Sequence, residues 1–387
     1  MNKRKTMILL CGFYITTFIG TVFSNAYMQP YLMRLGYDPI EIGVLTAGIS
    51  FVAILSPIIV GFLCDKFKTV KKAFNVILII LTLAALLFYQ TTEKVFFLHL
   101  IHYSLLGGLW TTMMTIQDTW AIGIDDFFKE RYGTIRAFGA IGWMVGNLIG
   151  SWYIGRYGYD ALGWALASLA IFNLVYTMFL PDIKRDSNVA SARLRDLKEL
   201  FKSREYVLIV LIFLFINMMS RADGLAIIDK MVRLGGGVEM IGLRNSLQAF
   251  AELPLFFAGA ILLRKFGDFK LLMFGTVMLI IRFIGFSFVQ TPELIIAVSL
   301  TQLCTFPLIT IASRTLVDGA SPDNLKSSGQ TIAVAIYGGI PSFVAPILTG
   351  YLIKHQGTDN TLMAVTGFGV IALMLGVVYS RIKKKNV

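Results

Sequence analysis

Long apolar stretches separated by short polar ones set the pattern of this chain. Twelve runs of about the 20 residues needed to cross a bilayer can be traced. They are Met7–Leu32, Glu41–Cys64, Ala73–Gln90, Val95–Gly123, Thr134–Gly155, Ala161–Leu180, Tyr206–Ile228, Met240–Leu263, Leu271–Val289, Glu293–Leu316, Thr331–Ile353 and Leu362–Tyr379. Their apolarity is continuous, which predicts helices, because the strands of a membrane barrel alternate over short segments. The longest polar stretch, Asp182–Glu205, divides the runs into six and six. The pattern therefore predicts an all-α membrane protein of twelve transmembrane helices in two six-helix bundles, residues 1–181 and 206–387. Residues 182–205 form the linker, helical from Leu194 to Phe201. At Asp38-Pro39-Ile40-Glu41, an N-cap, a first-position Pro and a third-position Glu predict the start of helix two.

Composition agrees. Hydrophobic residues make up 56% and charged residues 15%, against roughly 25% charged in soluble domains. The net charge of +12 would suit nucleic acid, but its distribution does not. Of the 35 Lys and Arg, about 24 lie in tails and loops on one side, chiefly Lys3–Lys5, Lys66–Lys72, Lys184–Arg204 and Arg381–Lys385, and about six on the other. This bias predicts cytoplasmic termini in a multi-pass protein of the cell (inner) membrane, with the lipid bilayer rather than nucleic acid as partner. The first run is too long for a signal-peptide core and has no convincing cleavage site, so it is expected to remain.

The ionisable residues in or at the edge of these runs include Asp118, Arg136, Arg221, Asp223, Glu252 and Arg282. Each costs at least about 2.5–3.5 kcal/mol in hydrocarbon, and such groups usually line a solute or proton path. Arg136 and Trp143 are seven residues apart and share nearly one helix face. Depth alone leaves open whether Asp118 and Arg136 bind a solute or staple two helices. Arg221 and Asp223, at i and i+2, do not face each other, so at least one needs a partner on another helix. Glu252 on helix eight can pair with Arg282 on helix nine. Removing two charges from water for stability alone is usually unprofitable, which favours a proton site over a static pair.

Other motifs carry blander readings. Gly142, Gly146 and Gly150 form a small-residue stripe suited to helix packing. His99 and His102 share a face, but no Cys or carboxylate completes a metal set, and Cys11, Cys64 and Cys304 lack ligand spacing. Neither metal nor cofactor is implied. H-E-x-x-H, G-x-S-x-G and P-loop motifs are absent, which disfavours an enzyme. A sensor would usually carry an added soluble domain.

Gly61-Phe-Leu-Cys-Asp65-Lys66-Phe-Lys68 follows helix two, and a degraded copy, Gly259-Ala-Ile-Leu-Leu-Arg264-Lys265-Phe-Gly267, follows helix eight. The recurrence indicates duplicated halves. This run resembles the G-x-L-x-D-R/K-x-G-R/K loop of the major facilitator superfamily, with Lys68 where that pattern has its second Gly. The resemblance implies the major facilitator fold and a conformational-gating loop at Gly61, Asp65 and Lys66. Tyr132-Gly133-x-x-Arg136-x-x-Gly139-x-x-Gly142-Trp143 resembles helix five of the oligosaccharide/proton symporters, the lactose permease group, and of related aromatic-acid and nucleoside permeases. That likeness implies sugar hydrogen bonding by Asp118 and Arg136 and ring stacking by Trp143. It also implies substrate contact by Glu252 and proton coupling around Arg282. Gln302 and Thr305 stand where the lactose permease group has His and Glu, so Glu252 or Asp223 must carry any proton, and Arg282 and Arg221 complete the expected proton-coupling set. Thr305-Phe306-Pro307 should kink helix ten. Asn147 and Ser151 depart from the drug-antiporter pattern and weakly disfavour efflux.

The expected function is a monomeric secondary transporter working by alternating access. It would couple proton entry to uptake of a small-molecule polar solute, an oligosaccharide or glycoside first. A nucleoside or aromatic acid comes second and drug/proton antiport third.

Overall fold

The computed structural model describes residues 2–183, 200–322 and 325–386. Among them there is no strand. Twelve long helices run in order: α1 Lys3–Arg34, α2 Pro39–Phe67, α3 Lys71–Gln90, α4 Phe96–Gly123, α5 Tyr132–Tyr157, α6 Ala161–Met178, α7 Arg204–Arg233, α8 Val238–Phe266, α9 Asp268–Phe288, α10 Pro292–Ala320, α11 Ser328–Gln356 and α12 Thr358–Asn386. The helix expected at Leu194–Phe201 lies almost wholly outside the described residues. Nine of the twelve are long and apolar enough to cross a membrane by length and composition. The three that fall short are α4, α5 and α8, which carry Asp118, Arg136 and Glu252. Polar side chains lower their apolarity.

Helix two begins at Pro39 with Glu41 in its first turn, as expected. Three pairs of helices end alike. Gly36 and Gly235, Lys68 and Gly267, and Gly158 and Gly357 all have positive φ, and every pair is separated by the same 199 positions. Left-handed residues of this kind close helices by satisfying their last carbonyls. Lys68 is the non-glycine among them, at φ 49°, and explains physically why the superfamily pattern prefers Gly there. Helix α10 breaks at the predicted place: a 3-10 stretch over Leu300–Cys304 gives way to Thr305 at φ −116°, ψ −83°, and the helix restarts with Pro307 in its first turn.

The chain forms two compact units, the first being Met1–Asp38, Val44–Asn188 and Gly237–Ala249. Here the Gly142, Gly146 and Gly150 stripe packs on α1. A Cβ at Gly146 would lie 3.0 Å from Ile19 Cα, and one at Gly150 would lie 2.9 Å from the Tyr27 ring. The Tyr27 hydroxyl donates to the Asn147 carbonyl at 2.7 Å. The Gly237–Ala249 segment also rests on α5, where Asn245 Nδ2 donates to Asn147 Oδ1 at 3.1 Å. Asp182, at the edge of the expected linker, caps α3: it accepts from Thr69 Oγ1 at 2.6 Å and from the Lys71 amide at 3.1 Å. His99 is fully buried against Tyr31, Tyr37 and Phe88 and bonds the Tyr37 hydroxyl at 2.8 Å. That is a packing environment.

The second unit is Pro39–Gly43, Val189–Gly236 and Phe250–Val387. One of its ends is fastened by buried charge that the apolar runs did not reveal. Lys230 is 2% exposed, pairs with Asp359 at 2.7 Å, and donates to the Phe286 and Ser287 carbonyls. Asp229 beside it pairs with Arg233 at 2.8 Å and accepts from Thr358. Helix α7 therefore continues past Ile228, and α7, α9 and α12 are joined at that end.

Candidate functional site

In the first unit, Asp118 of α4 and Arg136 of α5 come together, with Arg136 Nε 3.9 Å from Asp118 Oδ1. The Tyr14 hydroxyl of α1 donates to the same carboxylate oxygen at 2.8 Å. The Arg136 guanidinium lies 4.5 Å from the centre of the Phe18 ring, a cation–π contact. Phe18 in turn packs on Tyr14 and Trp110. Gly139 makes room for this arrangement, since a Cβ there would lie 3.0 Å from Arg136 Nη1 and 2.8 Å from the Phe18 ring.

Exposure bears on the choice between staple and site. The side chains of Arg136 and Asp118 are 41% and 31% exposed. An exposed ion pair contributes only about 0–1 kcal/mol, so this one is a poor staple. It leaves guanidinium N–H groups and carboxylate lone pairs open to hydroxyls. Trp143 lies two turns along α5 and is half-buried. The ring that meets Arg136 is Phe18, not Trp143. Among the described residues no aromatic ring stacks on Trp143.

The second unit holds a cavity of about 570 Å³. Its wall includes Asn217, Arg221 and Asp223 of α7, Arg282 of α9, and Gln302 and Arg314 of α10. Arg282 is 2% exposed at its side chain and pairs through Nη2 with Asp223 Oδ2 at 3.3 Å. Its Nη1 donates to Gln302 Oε1, and Thr305 Oγ1 donates to the Gln302 carbonyl at 3.1 Å. The partner of Arg282 is thus Asp223, whereas the sequence suggested Glu252. Helix spacing allowed either; the Asp223 carboxylate reaches the guanidinium across α7 and α9. Glu252, half-buried on α8, lies within electrostatic reach of Arg282, Asp223 and Gln302. Among the described residues it has no ion-pair partner within the 4 Å that defines one.

Arg221 faces the same cavity from the middle of α7 and is exposed to it. A wider, open groove of about 750 Å³ adjoins at Arg314, Gln330 and Val334, toward the α10–α11 connection. Gly61, Asp65 and Lys66 occupy the last turns of α2, with Asp65 half-buried and Lys66 exposed. No group of three or more metal-ligating side chains occurs among the described residues.

Sequence reasoning missed Tyr14, Phe18, Asn217 and Arg314, which stand among many similar aromatics and polar residues without spacing to single them out. Gln302 carried a signal, its match to a His position in the lactose permease group. The reading there asked only whether it titrates, not whether it accepts a hydrogen bond.

Known proteins share both sequence and fold with this chain. A putative nucleoside transporter of Escherichia coli (strain K12) is 25% identical over 84% of this chain and 79% of its own length. The maltose permease of Geobacillus stearothermophilus is 22% identical over 96% and 94%. The crystal structure of the nucleoside transporter NupG superposes with a TM-score of 0.82 at 16% identity, covering 98% of this chain and 99% of that one, which shows the major facilitator fold. The model of the MFS_1 like family matches residues 7–364. With a match over nearly the whole chain, this protein belongs to the MFS_1 like family and is a membrane transporter of a small-molecule solute rather than an enzyme.

Proposed function

We propose that the chain takes up a small hydroxylated solute, an oligosaccharide or glycoside, in symport with protons. The observation that carries the solute class is the partly exposed Asp118–Arg136 pair, with Trp143 two turns along the same helix. A bidentate cation, an acceptor carboxylate and an indole suit a ring that is polar at its rim and apolar on its face. The similarity to a maltose permease points the same way. A nucleoside is the second reading, favoured by similarity to a putative nucleoside transporter; its ribose offers the same hydroxyls.

Proton coupling is assigned to Glu252, Arg282 and Asp223, with Glu252 as carrier. Asp223 is committed to Arg282, which leaves Glu252 to exchange a proton as the solute moves. Residues 1–181 and 206–387 act as two bundles, linked by residues 182–205, that alternate access to the solute. Gly61, Asp65 and Lys66 form the gating loop. The protein works as a monomer in the cell membrane with both termini cytoplasmic.

A thermal-shift screen of the purified protein against disaccharides, nucleosides and aromatic acids tests the solute class, because a bound solute stabilises by mass action. Stabilisation by a sugar supports the proposal. Stabilisation by nucleosides alone replaces it with the second reading, and by aromatic acids alone overturns both.

A further inference from the structure

The cavity of the second unit is unbalanced in charge. Arg221, Arg282 and Arg314 line it, against the single lining carboxylate of Asp223. Counting Glu252, which is close enough to influence Arg282 and Asp223, three guanidinium groups face two carboxylates. One positive charge is left over. Arg282 is accounted for by Asp223 and Gln302. Arg221 is not: it lies mid-helix on α7, is exposed to the cavity, and among the described residues meets no carboxylate within ion-pair distance.

A charged side chain at membrane depth normally faces a cavity and finds a counter-charge there. For Arg221 the fold supplies the cavity but not the anion. A guanidinium presents a planar fork of donors that matches a carboxylate bidentately. Asn217, one turn earlier on the same face, spends its amide N–H on the Phe213 carbonyl at 2.8 Å, which leaves its side-chain oxygen for a solute hydroxyl. Arg314 lies where the cavity joins the open groove, on the route by which a solute would enter or leave this unit.

We propose that Arg221, with Arg314 on the same wall, forms a subsite for a carboxylate carried by the solute, so that the transported molecule is an acidic glycoside rather than a neutral sugar. This rests on the glycoside reading above. A single carboxylate neutralises the one excess charge.

Calorimetric titration of the purified full chain with matched pairs tests it: methyl β-glucuronide against methyl β-glucoside, and 4-hydroxybenzoate against 4-hydroxybenzyl alcohol. The glucuronide should bind about ten- to a hundredfold more tightly than the glucoside, the range expected of hydrogen bonds to a charged group. Arg221→Gln should reduce the glucuronide to the glucoside's affinity while leaving the glucoside unchanged, which also shows the variant is folded. If that variant does not purify as a monodisperse species, Arg221→Lys, which keeps charge without the fork, should retain part of the preference. Equal binding of glucuronide and glucoside, or a preference that survives Arg221→Gln, overturns the subsite and leaves the glycoside reading standing. Binding of the benzoate alone keeps the subsite and overturns the glycoside reading. Binding of none of the four overturns both.

Discussion

Gly36 and Gly235, Lys68 and Gly267, and Gly158 and Gly357 end corresponding helices of the two halves, each pair 199 positions apart. The charged residues do not follow that repeat. Moving Asp118 and Arg136 forward by the same interval reaches Val317 and Ala335; moving Asp223, Glu252 and Arg282 back reaches Ser24, Ala53 and Leu83. The helix ends are duplicated, and these charged positions are not. The two ion pairs also differ in kind. The α4–α5 pair is 41% and 31% exposed, whereas Arg282 and Asp223 are 2% and 17% exposed, with Gln302 accepting a further bond from Arg282. One is partly open and the other is enclosed.

The largest effect should come from the exposed pair. Arg136→Lys keeps the charge but loses the planar fork, and should nearly abolish uptake in a transport assay while the protein inserts and purifies normally. Wild-type uptake would reduce Arg136 to a helix staple and remove the contrast between the halves.

Stability should show the reverse order. Removing one partner of a buried pair strands the other, so Asp223→Ala should lower the unfolding free energy by about 3–5 kcal/mol. Asp118→Ala should cost no more than about 1 kcal/mol. Denaturant titration in detergent measures both, and equal losses would show that the pairs do not differ in role.

Trp143 sharpens the solute side. Trp143→Ala should weaken binding about tenfold and Trp143→Tyr much less, because a smaller ring retains part of the contact. Equal affinity across the three would take Trp143 out of the site.

The smallest effect probes the shared scaffold. A non-glycine residue in left-handed conformation costs about 1–2 kcal/mol, part of which glycine returns through the unfolded chain. Lys68→Gly should therefore stabilise by about 0.5 kcal/mol, and Gly267→Lys should destabilise by about 1 kcal/mol. The same sign for both substitutions in thermal unfolding would mean that their backbones are not equivalent.

Much of the fold was legible because a bilayer allows few solutions: apolar runs of spanning length must be helices. The α10 break was readable from Thr305-Phe306-Pro307, and a packing face on α5 from three glycines at spacing four, though not that α1 is what packs there. The end of α7 was not, because Asp229 and Lys230 look like loop residues until Thr358 and Asp359 arrive to meet them. Asp118 and Arg136 were legible as a pair from local motif spacing. The choice between Asp223 and Glu252 as partner for Arg282 was not, since helix order constrains which helices touch but not which carboxylate reaches across. The 199-position interval was present in the sequence, but it emerges only when helix ends are known from their backbone angles.

The central claim is that the first half recognises the solute's hydroxyls while the second handles the proton, and one paired measurement tests it most directly. In proteoliposomes, Glu252→Gln is compared with Arg136→Lys for solute exchange at equilibrium and for accumulation under an inward proton gradient. Glu252→Gln should lose accumulation and retain exchange, because exchange requires no net release of a proton; Arg136→Lys should lose both. Accumulation that persists in Glu252→Gln, or exchange that persists in Arg136→Lys, would contradict the division of labour between the halves.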